Sequence, residues 1–195
     1  MAHPLSQRID GVLDLDPTAN AIQYDGRWHT WGQVAALARR IGAVTSGSRV
    51  GIMLRNQPAH VAALLGVLAA GGTVVVINPS RGDERTRADI KSLALPVLIG
   101  LAEDIAALAS PTPSTTTVTI RDLDTEPELA PAARPSEDAG RPGVAVWMLT
   151  SGTTGPPKRV DLTYDMLARS VMGRDPENSP APAELRRGVA IVNSP

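Results

Sequence analysis

The chain has 195 residues, a length that suits one domain with a buried core, or part of a domain. Apolar residues make up 43% and charged residues 20%, with a formal net charge of −1, which argues against a generally basic surface for nucleic acid or anionic membranes. The absence of cysteine excludes disulfides, thiolate metal sites and a cysteine nucleophile.

The amino terminus carries acidic residues where a secretory signal would need an apolar stretch, so we expect a cytoplasmic protein without a targeting peptide. The most apolar segment, residues 61–77, is interrupted by Gly71 and Gly72 and continues with β-branched residues. It therefore predicts a buried helix followed by a buried strand, and no membrane span.

A β-hairpin and a helix are predicted next, after a short leading helix. Asp25 and Gly26 lie between two short runs that alternate apolar and polar residues, the pattern of a two-residue turn with positive φ. Thr30 suits a helix N-cap, and Gln33 completes a capping box. One face of this helix carries Val34, Ala38 and Ile41.

The central part of the chain alternates between apolar strands and helices, with strands over 49–54, 73–78 and 96–100 and helices over 58–72 and 81–95. Strands that are apolar throughout are typical of a parallel sheet with helices on both faces. The sequence therefore predicts an α/β fold with a mostly parallel sheet, preceded by the small hairpin.

Two of these helices allow more detailed predictions. Pro58 suits the first position of its helix, and Gly71 would end it. The stripe predicted to be buried consists of Val61, Leu64, Leu65 and Leu68. Asp83 is the predicted cap of the helix that follows.

A proline-rich segment, residues 110–143, is predicted to be a surface excursion around one strand at 116–123. The core resumes with a strand over 144–149, and a further helix is predicted to begin at Thr163 as its N-cap. The residues expected to share the buried face of that helix are Tyr164, Leu167, Ala168 and Val171.

The stretch between this strand and this helix, LTSGTTGPPKRV at residues 149–160, combines glycines, hydroxyls, prolines and a lysine. A strand, a glycine-rich loop and a helix in that order are typical of a phosphate site, because glycines expose backbone N–H groups and helix N-termini favour anions. Pro157 precedes Lys158 and Arg159 follows it, so the loop is not a Walker A motif. The alternative is a solvent-exposed connector without a ligand.

The string TSGTTGPPK resembles the signature loop of the adenylate-forming superfamily, which includes acyl-CoA synthetases, firefly luciferase and the adenylation domains of nonribosomal peptide synthetases. That loop reads T-S-G-T-T-G-x-P-K-G-V. This chain departs from it at Arg159, where the family usually has glycine, and Tyr164 stands where many members have histidine. The segments GRWHTWGQVAALARRI and SRVGIMLRNQPAHVAALLGVLAAGGTVVVINPS also resemble the family, so the resemblance covers residues 20–195.

The resemblance implies an enzyme that activates a carboxylic acid with ATP and passes the acyl group to a thiol, most often coenzyme A, with Mg²⁺ assisting. It implies an acid–CoA ligase of the acyl-CoA synthetase type, acting on a fatty, aromatic or amino acid. The ATP phosphates would be held by Thr150, Ser151, Gly152, Thr153, Thr154, Gly155 and Lys158.

The family's adenine, ribose and magnesium motifs and its catalytic lysine have no counterpart in this sequence. We therefore expect residues 1–195 to form the amino-terminal subdomain of an adenylation domain, with no catalytic residue of its own and no activity alone. A non-catalytic nucleotide- or partner-binding module is the alternative. His3, His29 and His60 lack metal-ligand spacing, so no metal site is predicted. We also expect self-association, because the surface that meets the other subdomains would be exposed.

Overall fold

The elements of the chain are seen in a computed structural model, which describes residues 2–134, 136, 138, 140–150 and 158–185. In that part of the chain the helices are α1 (Pro4–Asp14), α2 (Trp31–Thr45), α3 (Pro58–Ala69), α4 (Asp83–Leu93), α5 (Ala102–Leu108) and α6 (Tyr164–Met172). The strands are β1 (Asn20–Tyr24), β2 (Arg27–Thr30), β3 (Arg49–Met53), β4 (Thr73–Ile77), β5 (Val97–Gly100), β6 (Thr116–Thr119), β7 (Glu128–Ala130), β8 (Val144–Leu149) and β9 (Arg159–Thr163).

The predicted hairpin and its helix cap are confirmed. β1 and β2 pair antiparallel, and the turn places Asp25 at φ 48° and Gly26 at φ 73°. The Gln33 backbone N–H donates to Thr30 Oγ1 at 3.3 Å, and the Thr30 N–H donates to Gln33 Oε1 at 2.9 Å. This reciprocal capping box satisfies two N–H groups at the start of α2 that have no partner within the helix.

The large sheet has seven strands in the order β7-β6-β5-β3-β4-β8-β9 among the described residues. Its five inner strands run parallel, and the two edge strands β7 and β9 run antiparallel to their neighbours. The central strand β3 places Val50 beside Val74 of β4 and beside Val97 of β5. The mostly parallel sheet that the sequence predicted is confirmed.

Helices cover both faces of this sheet, also as predicted. One face packs against α1, α2, α3 and α6, with Leu37, Ile41 and Val67 fully buried there. The other face packs against α4 and α5 through Ile90 and Leu108. Burial of these aliphatic side chains is the main source of stability for the fold.

The predicted buried stripe of α3 is wrong in part. Val61 is 42% exposed and Leu64 and Leu65 are only half-buried, whereas Leu68 is buried as expected. The buried face instead consists largely of small residues, Ala59, Ala62, Ala63 and Gly66, together with Val67. A Cβ atom on Gly66 would lie 2.2 Å from the Ala38 carbonyl oxygen, so α2 and α3 approach too closely for larger side chains.

The proline-rich segment is more integrated than predicted. The predicted strand is confirmed in its first half as β6, which extends the parallel sheet beside β5, and β7 then forms the sheet edge. Val118, Ile120 and Leu123 are buried. The segment is therefore not only a surface excursion, because it covers one end of the hydrophobic core.

Two smaller predictions are wrong. The N-cap of α4 is Gly82, at φ 93°, and Asp83 is the first helical residue, where its carboxylate pairs with Arg87 at 3.2 Å. Val171 does not share the buried face of α6, because it lies exposed while Tyr164 and Ala168 are buried. Within the described residues, no helix is both long and apolar enough to cross a membrane.

Candidate phosphate site

The ends of the glycine-rich loop are joined at the edge of the sheet where the parallel strands have their carboxyl ends. β8 ends at Leu149, which pairs in register with Arg159, the first residue of β9. Beyond that pair, the Thr150 N–H donates to the Lys158 carbonyl at 2.8 Å, and the Lys158 N–H donates to Thr150 Oγ1 at 3.2 Å. We call Thr150 and Lys158 the neck of the loop.

The neck determines where the loop that carries the predicted phosphate ligands leaves the sheet and where it returns to it. Thr150 and Lys158 are exposed and adjacent, and the side chain of Lys158 forms no ion pair with another described residue. The other predicted ligands, Ser151, Gly152, Thr153, Thr154 and Gly155, lie outside the described residues. Two of the seven predicted site residues are therefore brought together by the structure.

The predicted arrangement of strand, loop and helix is wrong in its last part. The loop leads into β9, which runs back along β8, and α6 begins only after Thr163. The Tyr164 N–H donates to the Gly143 carbonyl at 2.9 Å, so the start of α6 lies at the opposite end of β8. Five strand residues span about 16 Å, so the N-terminus of α6 does not contribute to a phosphate site at the neck.

The neck lies next to a point where the chain reverses its direction across the sheet. After β3 the chain crosses over one face through α3, and after β4 it crosses the other face through α4. Such a reversal leaves a crevice beyond the carboxyl ends of the two strands, which is where open α/β sheets bind ligands. β8 is the neighbour of β4, so the neck lies one strand away from this reversal.

Two arginines at this edge, Arg55 and Arg159, are already neutralised by carboxylates. Arg55, which follows β3, donates to both oxygens of Asp104 at 2.6 Å, and the Asp104 side chain is 5% exposed. This bidentate contact raises the pKa of the Arg55 guanidinium. Arg159 is likewise paired, with Asp89. Among the described residues, Lys158 and Arg81, which lies in the turn after β4, are cations at this edge without an ion-pair partner.

His60 is fully buried in the first part of α3, and neither ring nitrogen has a hydrogen-bond partner among the described residues. Burial lowers its pKa, while the nearby Asp104 raises the pKa and Arg55 lowers it. An imidazole enclosed in this way fits a structural role. His3 is also structural, because its Nδ1 accepts from the Leu5 N–H and caps α1.

Comparison with known proteins identifies the family. The family described as AMP-binding enzyme matches this sequence over residues 13–186, which is most of the chain. The chain belongs to the AMP-binding enzyme family. Syringomycin synthase SyrB1 of Pseudomonas syringae pv. syringae is 30% identical over 159 residues, which cover 78% of this chain and 25% of that protein. The medium/long-chain-fatty-acid–CoA ligase FadD6 of Mycobacterium tuberculosis is 28% identical over 189 residues, covering 88% of this chain and 32% of the ligase.

Solved structures show the same fold. ATP-bound MatB from Rhodopseudomonas palustris superimposes with a TM-score of 0.64 at 24% identity, over 87% of this chain and 36% of that one. The family match and these relatives confirm the resemblance to adenylate-forming enzymes, and the solved structure confirms the α/β fold it implied. This AMP-binding chain spans about a quarter to a third of the length of the two relatives described above.

The sequence did not reveal one feature of the site in this AMP-binding chain. Arg159 contacts β8 and two elements that are distant in sequence, β4 and α4, where its partner Asp89 lies 70 residues earlier. The only local signal was the presence of arginine where the related loops have glycine.

Proposed function

We propose that residues 1–195 form the amino-terminal subdomain of an adenylation domain, and that the loop between Thr150 and Lys158 holds the phosphates of ATP. The observation that carries this proposal is the neck, which holds Lys158 at the carboxyl edge of the sheet without an ion-pair partner among the described residues. An exposed ammonium group at the carboxyl edge of a parallel sheet is suited to the charge of a triphosphate.

The reaction we propose begins when the carboxylate of the substrate attacks the α-phosphorus of ATP. A new bond forms between carboxylate oxygen and phosphorus, the bond from the α-phosphorus to the bridging oxygen breaks, and pyrophosphate departs with the negative charge. Lys158 would stabilise that departing charge, and Thr150, Ser151, Thr153 and Thr154 would donate hydrogen bonds to the phosphate oxygens. Gly152 and Gly155 would let the backbone approach them.

The acyl-adenylate would then react with a thiol, releasing AMP and forming a thioester. We propose coenzyme A as the acceptor, which is supported by the similarity to a fatty-acid–CoA ligase. The similarity to syringomycin synthase supports the other form of the proposal, in which the acid is an amino acid and the thiol belongs to a carrier protein. Mg²⁺ is proposed for the whole protein, and no described residue is assigned to bind it. We further propose that the protein is cytoplasmic.

Exchange of labelled pyrophosphate into ATP, driven by a panel of fatty, aromatic and amino acids, tests this proposal. The protein at its native length should catalyse exchange with one class of acid, and Lys158→Ala should abolish most of it. Lys91→Ala is the matched control, because Lys91 is the other lysine of the chain and lies on α4. We expect residues 1–195 alone to be inactive. Full exchange by the Lys158→Ala protein would contradict the assignment.

A further inference from the structure

Arg159 directly follows Lys158 and is held at three points. Its Nη2 donates to Asp89 Oδ2 on α4 at 2.5 Å, and its Nη1 donates to the carbonyls of Val76 at 3.1 Å and Trp147 at 3.3 Å. The Arg159 side chain is only 9% exposed. One guanidinium therefore ties the first residue of β9 to α4, β4 and β8 at the carboxyl edge of the sheet.

The indole of Trp147 supports this contact. The Arg159 guanidinium lies 5.2 Å from the ring centroid of Trp147, and the Arg141 guanidinium lies 4.4 Å from it. Arg141 pairs in turn with Asp161 at 2.6 Å, and Asp161 lies opposite Trp147 in the pairing of β8 with β9. Cation–π contacts of this kind add attraction and limit the orientations open to the guanidinium.

We call the contacts of the Arg159 side chain with Asp89, Val76 and Trp147 the clamp. The clamp lies one peptide bond from Lys158, whose ammonium group we assign to the ATP phosphates. Backbone hydrogen bonds to Thr150 hold Lys158 on one side, and the side chain of Arg159 holds it on the other. A glycine at position 159, the residue usual in loops of this type, has no side chain with which to form such a contact. The clamp is therefore a property of this sequence and not of the loop pattern.

We propose that Arg159 is a positioning residue, and that its anchorage to Asp89 holds Lys158 in place for the phosphates of ATP. The inference rests on the proposed function of the loop. A pre-positioned ammonium group loses less conformational freedom when the nucleotide binds, so the clamp raises affinity without contacting the ligand. It also links the loop to α4, because Asp89 lies on that helix.

A buried ion pair can also be purely structural, so the test must separate ligand affinity from stability. Asp89→Ala removes the partner of Arg159. The matched control is Asp138→Ala, because Asp138 pairs with Arg49 at 2.7 Å in a similarly enclosed contact, and Arg49 lies at the opposite end of the parallel sheet. Both variants should lower the melting temperature.

The decisive readout is pyrophosphate exchange by the protein at its native length, measured as kcat and as KM for ATP. Asp89→Ala should raise that KM by about tenfold, and Asp138→Ala should leave it unchanged. Arg159→Gly should raise the KM for ATP as much as Asp89→Ala does. Arg159→Lys should have a KM between those of Arg159→Gly and wild type, because lysine keeps the positive charge but not the planar set of N–H donors.

Hydrogen exchange gives a second readout that does not depend on activity. The Thr150 amide should exchange faster in Asp89→Ala than in Asp138→Ala, because its acceptor is the Lys158 carbonyl. Lack of pyrophosphate exchange in the wild-type protein would overturn the proposed function. Wild-type exchange together with an unchanged KM in Asp89→Ala would overturn the positioning role alone.

Discussion

The hydroxyl of Tyr164, at the start of α6, donates a hydrogen bond to the carbonyl of Gly72 at 2.7 Å. It also lies 3.1 Å from the Leu68 carbonyl, near the end of α3. Burial raises the pKa of Tyr164 to about 12. This tyrosine stands where related sequences often have histidine. Its contacts join α6 to the end of α3, at the end of β8 that lies opposite the loop.

Tyr164→Phe should lower the free energy of unfolding by about 1–2 kcal/mol, because buried carbonyls lose a donor. The wild-type protein should lose stability as pH rises from the ordinary tyrosine value of 10 towards about 12, since the unfolded state releases the phenolic proton first. The Tyr164→Phe variant should lack this loss of stability at high pH. Urea titrations between these pH values measure both effects, and Tyr24→Phe, at an exposed position, is the control. Equal stability of Tyr164→Phe and wild type would contradict the prediction.

Gly66→Ala tests the close approach of α2 and α3. Its Cβ atom would lie 2.2 Å from the Ala38 carbonyl oxygen, so the helices must separate, and we expect a loss of about 1–3 kcal/mol in unfolding free energy. Gly11→Ala in α1 is the matched control, because a Cβ atom at that position would meet no atom of another element within 4 Å. That change should stabilise the protein by about 0.5–1 kcal/mol. Similar effects of the two substitutions would contradict the packing described for α2 and α3.

His60 should make the fold sensitive to acid. Because burial lowers its pKa in the folded protein, the unfolded state takes up a proton first as pH falls below the ordinary value of 6.5. Below pH 6.5, protonation of His60 should therefore lower the free energy of unfolding by at most about 1.4 kcal/mol for each pH unit. Chemical denaturation of His60→Leu at pH 7 and pH 5 should show a smaller difference than wild type. An equal difference in both proteins would contradict the prediction.

The expected self-association has a specific candidate surface. Met148 and Val160 lie opposite each other on β8 and β9, and they are 37% and 40% exposed. They form an apolar pair at the edge of the sheet, a setting that favours association. Sedimentation velocity of residues 1–195 should show concentration-dependent oligomers, which Val160→Lys reduces and Val171→Lys does not. A monomer at all concentrations would contradict this expectation.

The features that were predicted correctly depend on residues close together in the chain. Asp25 and Gly26 determine their turn through their own dihedral angles, and Thr30 finds its partner three residues later. The order of strands and helices likewise follows from local runs of apolar residues. Such patterns identify elements before any tertiary contact is known.

The features that were missed depend on contacts between distant segments. The buried face of α3 is determined by the close approach of α2, which favours Gly66 over a larger residue. β9 has a short alternating sequence, RVDLT, that is compatible with a strand, but its place at the sheet edge depends on its pairing with β8. The contact between Arg159 and Asp89 joins residues 70 apart. No local pattern determines the close approach of α2 and α3 or the contact between Arg159 and Asp89.

Calorimetric titration of the protein at its native length with ATP is the most direct test of the central claim, that the loop held by Thr150 and Lys158 binds phosphates. Loss of a charge-assisted hydrogen bond should weaken ATP binding by about tenfold or more in Lys158→Ala. Lys91→Ala should bind like wild type. Equal affinity in all three proteins would contradict the assignment of Lys158 to the ATP phosphates.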